Sequence, residues 1–182
     1  MKIIVAITAA SGTLYARLTL QQLLCCPEIT EIAVIYSDSA RKVAAFEQVE
    51  MPVDARITVY DNADLFAPVA SGSADYTAMV VVPCSVGTVG RVASGVSQTL
   101  IERAADVMLK ERRKLIFVVR ETPLSLIHLR NLTTLAECGA IILPAAPSFY
   151  AMPQSIEALC MTIVERIIMQ LGISAPHYEW GK

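Results

Sequence analysis

Two hydrophobic patterns alternate along this chain. Short unbroken apolar runs give way to longer stretches in which apolar residues recur every three or four positions. The first pattern predicts buried strands and the second amphipathic helices. Strands are expected over Lys2 to Thr8, Glu31 to Tyr36, Tyr76 to Val82, Leu115 to Val119 and Ala140 to Leu143. Helices are expected over Gly12 to Leu24, Ser39 to Glu50, Gln98 to Arg112, Leu124 to Glu137 and Pro153 to Leu171. The punctuation agrees. Pro83 and Pro144 stop strands, Cys138-Gly139 closes a helix and Pro153 opens one. Short helical turns are expected after Pro83. Met51 to Asp75 carries Pro52, Asp54, Asp61, Asp64, Pro68, Ser71 and Gly72 and reads as loop with short elements. Strands separated by helices predict an α/β fold: a three-layer, Rossmann-like (flavodoxin-like) parallel sheet with helices on both faces. Residues 1–182 read as one domain.

Composition sharpens this picture. Apolar residues make up 54% of 182 and mean hydropathy is +0.52, high for a soluble monomer. A membrane span or a large subunit interface would each account for it. The long charge-free stretch from Gly139 to Ile156 is broken by Pro144, Pro147 and Pro153, so no continuous apolar span is expected and a homo-oligomer is. A net charge of −2 gives no argument for nucleic acid or an anionic membrane, although cations gather between positions 103 and 120. Met1-Lys2 leads straight into Ile3-Ile4-Val5-Ala6-Ile7, a first strand rather than a signal core, so a cytoplasmic protein is expected. Cys25, Cys26, Cys84, Cys138 and Cys160 form no C-x-x-C and read as free thiols. With His128 and His177 the only histidines, no metal site is expected.

The unusual residues collect at the predicted carboxyl ends of strands, where open α/β sheets bind ligands. The first strand runs into Thr8-Ala9-Ala10-Ser11-Gly12. Small residues let a ligand approach the backbone, and the following helix offers its N–H groups to an anion. An ordinary helix cap is the plainer reading of Ser11, and Ser37-Asp38 after the second strand reads both ways too. Pro83-Cys84-Ser85-Val86-Gly87-Thr88-Val89-Gly90 is a loop of small donors suited to a phosphate or a flavin edge; Cys84 has no activating neighbour in sequence. The run Lys110-Glu111-Arg112-Arg113-Lys114 precedes an apolar strand that ends in Arg120-Glu121. An Arg suits a phosphate and a Glu suits proton transfer. The same residues also read as a helix end matched to its dipole and a solvated strand end. Arg103, Lys110, Arg120 and Arg166, with Tyr150, are enough to bind two phosphate groups.

Together, Pro83-Cys84-Ser85-x-Gly87-Thr88, Ala93-Ser94-Gly95, Leu100-Ile101-Glu102-Arg103-Ala104-Ala105-Asp106-Val107, Leu109-Lys110-Glu111-Arg112-Arg113, Arg120-Glu121-Thr122-Pro123-Leu124-Ser125, Ile127-His128-Leu129 and Pro144-Ala145-x-Pro147-x-Phe149-Tyr150 resemble the UbiX-type flavin prenyltransferases. The resemblance covers essentially the whole chain. It implies binding of FMN and dimethylallyl phosphate, transfer of the five-carbon group to flavin N5 and C6 without a metal, and delivery of prenylated FMN to a UbiD-type decarboxylase. It also implies a large homo-oligomer, commonly a dodecamer, with sites at subunit interfaces. Position by position, it implies that Ala9, Ala10, Ser11, Ser37, Ser85, Val86, Gly87, Thr88 and Arg120 contact the flavin. Arg103 joins this group as a cofactor-binding cation. Lys110, Arg120, Tyr150 and Arg166 would hold the prenyl phosphate and Trp180 would close the site. Ser11, Glu47, Lys110 and Glu121 would take catalytic roles. The family's Gly-Ala-Ser-Gly is here Ala9-Ala10-Ser11-Gly12, and its acidic-Asn pair is here Gln98-Thr99.

Two other readings compete. An FMN-dependent decarboxylase of the cysteine-decarboxylase type would show a His after the second strand and an Asn in the third loop, and this chain has neither there. A non-catalytic flavin carrier subunit would not need Lys110, Tyr150 and Arg166 together. His128 reads as a helix residue that packs or caps locally.

Overall fold

The computed structural model describes residues 1–174, so Trp180 and His177 lie outside the described residues. Its sheet has six strands, all parallel: β1 (Lys2–Ile7), β2 (Glu31–Tyr36), β3 (Ile57–Tyr60), β4 (Tyr76–Cys84), β5 (Lys114–Val119) and β6 (Ile141–Pro144). Their order is β3-β2-β1-β4-β5-β6. The chain winds outward from β1 in one direction, then returns to β4 and winds the other way. The crevice between the carboxyl ends of β1 and β4 is therefore the topological switch point.

The helices are α1 (Thr13–Cys25), α2 (Ala40–Phe46), α3 (Val86–Ala93), α4 (Leu100–Lys110), α5 (Leu126–Glu137) and α6 (Ile156–Leu171). Strand side chains alternate between the two faces of the sheet. Ile3, Val5, Ile7, Val34, Val80 and Ile116 pack with α1 and α6 on one face. Ile4, Ala6, Ile35, Met79, Val81 and Phe117 pack with α3 and α4 on the other. Both faces being covered explains why the strands read as unbroken apolar runs. No described helix is long and apolar enough to cross a membrane.

Several boundaries differ from the sequence expectation, each for a local reason. The irregular segment after Met51 contributes β3, a short strand at the sheet edge whose Ile57 to Tyr60 pair with Ile32 to Ile35. Pro83 does not end its strand. β4 continues to Cys84 with a shift of register between Val81 and Cys84, because Arg120 N–H bonds the Cys84 carbonyl (3.1 Å) and asks nothing of the proline nitrogen. The short turns expected next form the eight-residue helix α3, capped by Ser85. The second helix stops at Phe46 because Gln48 turns left-handed (φ 55°).

Candidate active site

The switch-point crevice is built by tying β1 to β4. Buried Thr8 donates its hydroxyl to the Pro83 carbonyl (2.8 Å) and accepts the Ser85 N–H (2.9 Å). This fixes the loop after β4 against the turn after β1. A cleft of about 420 Å³ opens there, lined by Ala9, Ser37, Ser39, Ser85, Thr88 and Arg91 among others. Four residues expected to contact a flavin thus meet in one cleft: Ala9, Ser37, Ser85 and Thr88. Ala10 is buried beneath the turn, and Val86 and Gly87 form the first turn of α3 without lining the cleft.

The hydroxyls here are organised. Ser85 Oγ and Thr88 Oγ1 lie 3.0 Å apart, and Thr88 Oγ1 accepts from Arg91 Nη2 at 3.2 Å. Arg91 Nε donates to Glu102, which is 2% exposed. Glu102 also accepts the Gln98 and Thr99 amides (2.9 and 3.0 Å) at the start of α4. Burial pushes the Glu102 carboxyl up, but the bonds from Arg91 and the two amides outweigh it and hold the group below the usual range. Asn62, 8% exposed, completes the wall, its Oδ1 accepting Ile101 N–H at 3.1 Å. Sequence reasoning missed Arg91, Asn62 and Glu102 as a set. The available signal was spacing, since Arg91 lies three residues beyond Thr88 and so shares its helix face.

At α1 the structure corrects an expectation. The amides of Gly12 and Thr13 were read as a seat for a ligand anion. Glu47 takes them instead, accepting both at 2.8 Å and the Thr13 hydroxyl as well. Burial pushes Glu47 up, yet hydrogen bonds from Thr13, Ser11 and the two amides bring its pKa below the usual carboxylate value. A group held ionised this way is a poor proton donor near neutrality. Through these bonds Glu47 positions Ser11 and Gly12. Gly12, not Ala9, occupies the left-handed position of the turn (φ 101°). The Ala9 methyl costs no backbone strain.

Arg120 leaves the end of β5 and donates through Nε to the Ser11 carbonyl at 3.1 Å, which joins the two strand ends across the crevice. Glu121 is exposed, with one carboxylate oxygen accepting the Thr122 N–H at 3.0 Å. Tyr150 and Arg166 come together in a second cleft of about 540 Å³ with Ser148, Thr162 and Glu165. Ser148 N–H donates to Thr162 Oγ1 at 3.0 Å, pinning the loop to α6.

Lys110 and Arg103 do not join these groups within one chain. Lys110 ends α4, at the amino end of the sheet, and pairs with Glu111 (2.6 Å). A six-residue strand, about 20 Å long, separates that end from Arg120. Arg103 is fastened to the Ala70 carbonyl (3.1 Å) and to Asp106 (2.7 Å). For Lys110 the physical reason is general: in a βαβ unit the helix carries the chain from the carboxyl end of one strand back to the amino end of the next, so the helix's last residues face the opposite end of the sheet from the strand's last residues. Cys84 is fully buried and burial pushes its thiol up, which removes it as a nucleophile. His128 Nδ1 accepts the Ser125 N–H (3.2 Å) and caps α5 locally, as expected.

The family model described as Flavoprotein matches residues 1–168. The flavin prenyltransferase UbiX of Methanocaldococcus jannaschii is 41% identical over 188 aligned positions, covering 100% of this chain and 99% of that protein. The chain belongs to the UbiX family of flavoproteins. Two UbiX-family structures superpose closely. AnUbiX (PadA1), in complex with FMN and dimethylallyl pyrophosphate, is 38% identical with TM-score 0.91, covering 98% of each chain. A dodecameric FMN-dependent UbiX-like decarboxylase from Escherichia coli O157:H7 is 35% identical with TM-score 0.92, covering 100% of each chain.

Proposed function

We propose that this protein is a flavin prenyltransferase. It joins the dimethylallyl group of dimethylallyl phosphate to N5 and C6 of reduced FMN: the N5–C bond forms as the allylic C–O bond breaks and phosphate leaves with the N5 proton, and the C6–C bond forms as the prenyl double bond gains a proton and C6 loses one, making prenylated FMN for a UbiD-type decarboxylase. One observation carries the reading: two separate polar clefts, each with its own guanidinium, flank the carboxyl ends of the strands. One suits the phosphate of a flavin and the other the phosphate of a second substrate. A carrier or a simple flavin-binding subunit needs only the first. FMN supplies the nucleophilic ring atoms, and the chain's residues supply position and charge.

Ser37, Ser85 and Thr88 fit as donors to FMN oxygens. Tyr150 and Arg166 fit the prenyl phosphate, where charge grows as the allylic C–O bond breaks and fixed donors are most effective. Arg120, by holding the Ser11 carbonyl, sets the turn against which the flavin ring would lie. Glu121 fits the proton that C6 must lose. Lys110, at the far end of the sheet, fits the site of a neighbouring subunit in a closed homo-oligomer, in keeping with the dodecameric relative; Arg103, in the first turn of α4, is engaged by Ala70 and Asp106. We place the assembly in the cytoplasm as a dodecamer.

The test is anaerobic incubation of the purified protein with reduced FMN and dimethylallyl phosphate, followed by mass analysis of the extracted flavin. A gain of one five-carbon unit is expected. Unmodified FMN from a flavin-loaded protein, with the diphosphate donor also tried, would overturn the reading.

A further inference from the structure

Among the residues lining the hydroxyl-rich cleft, Arg91 alone carries positive charge. Its side chain is 49% exposed, yet its guanidinium is anchored on two sides. Nε is bound to buried Glu102, and Nη2 donates to Thr88 Oγ1, on a residue only 2% exposed. Nη1 makes no hydrogen bond among the described residues. It lies 3.4 Å from the point a Cβ on Gly87 would occupy, so the absence of a side chain at Gly87 leaves this edge open. Asn62 adds a second observation. It is 8% exposed and its Oδ1 is taken, but its side-chain NH2 has no acceptor among the described residues and lines the same cleft. The amide donor thus opens onto the cleft, where a ligand oxygen can accept from it. The one lining carboxylate not otherwise engaged, Asp38, is exposed. A tie between α3 and α4 would need only the Arg91 Nε bond. It would not need a guanidinium edge and an amide left open to one cavity.

We propose that Arg91, oriented by Glu102, is the cation that binds the phosphate of FMN and makes the protein select phosphorylated flavin over riboflavin. This rests on the reading of FMN as a substrate. Glu102 is a positioning residue here: by binding Nε it fixes a guanidinium that lines the cleft and leaves Nη1 for a ligand. The planar fork and fixed orientation suit a phosphate monoester. The prenyl donor is also a phosphate monoester, but Tyr150 and Arg166 lie in the separate cleft.

Equilibrium titration of the full-length oligomer with FMN and with riboflavin tests this. Arg91→Ala is expected to weaken FMN binding by about tenfold or more, the loss of one charge-assisted phosphate partner. Riboflavin affinity should be unchanged, and so should the KM for dimethylallyl phosphate at saturating FMN. Arg91→Lys, which keeps the charge, should retain more FMN affinity than Arg91→Ala. Equal weakening of FMN and riboflavin, no change in either, or equal loss in the Lys and Ala variants would overturn the proposal. A raised KM for dimethylallyl phosphate with intact FMN binding would overturn it in favour of the prenyl donor. Wild-type protein that binds neither flavin would instead defeat the functional reading beneath it.

Discussion

Glu47 shows how much of a turn one carboxylate can organise. Its carboxylate saturates the first amides of α1, the place where an anion gains most from the helix N-terminus. Replacing it with Gln removes the charge and weakens these bonds. Glu47→Gln is expected to cost about 1–3 kcal/mol at neutral pH. The sign with pH follows from the lowered pKa. The stabilisation is fully present above the unfolded carboxyl value. It is lost as pH falls through the depressed folded value. Denaturant titrations of wild type and Glu47→Gln should therefore converge as pH falls through the depressed folded value; a gap that does not narrow as pH falls below the unfolded carboxyl value would exclude the charge as its origin. Nothing in the sequence joined Glu47 to Gly12, because the pair is closed through space. Ala9 makes the converse point. The left-handed turn needs a glycine only at Gly12, where φ is 101°, so the Ala9 substitution is tolerated.

Among the elements, α5 is the outlier. Leu135 is its only buried residue, while Leu126, Ile127 and Leu129 are 61%, 68% and 47% exposed. A helix this apolar with so little of it covered calls for another subunit. Leu126→Asp with Ile127→Asp is expected to lower the oligomer mass by light scattering while leaving the far-ultraviolet dichroism of the subunit intact. An unchanged mass would place the interface elsewhere. The sequence pattern located α5 within two residues at its start and matched its end. It gave no sign that the buried side would be one residue wide, because periodicity reports that a face is apolar and not what covers it. The strands were more legible. Burial on both faces leaves little room for polar residues, so β1, β2, β4 and β5 announce themselves. The short edge strand β3, with Thr58 and Val59 exposed, does not.

For the molecule as a whole, the reading of Lys110 as a phosphate ligand requires an assembly, because α4 carries it to the amino end of the sheet, away from both clefts. Lys110→Ala and Arg166→Ala are each expected to reduce turnover strongly. If Lys110 serves a neighbour's site, mixed oligomers of the two variants should regain part of the wild-type rate, since an intact Lys110 then meets an intact Arg166. No recovery on co-assembly would mean that both residues act within one subunit. The high apolar content also makes sense at this level. Most of it fills the two cores, but large apolar side chains also stay uncovered on α5 and at Phe149, Met152 and Ile156.

The amino-acid sequence by itself determined the α/β class, the placement of small and charged residues at strand ends, and the family pattern from Pro83 to Tyr150. These are local or periodic properties, set by burial and by the residues each turn tolerates. The tertiary structure alone decided the strand order, the switch-point crevice, the sealing of α1 by Glu47, the separation of Lys110 from Arg120, and the anchoring of Arg91 by Glu102. Each of these depends on which elements pack side by side and which end of the sheet a residue faces. A one-dimensional pattern carries no record of either.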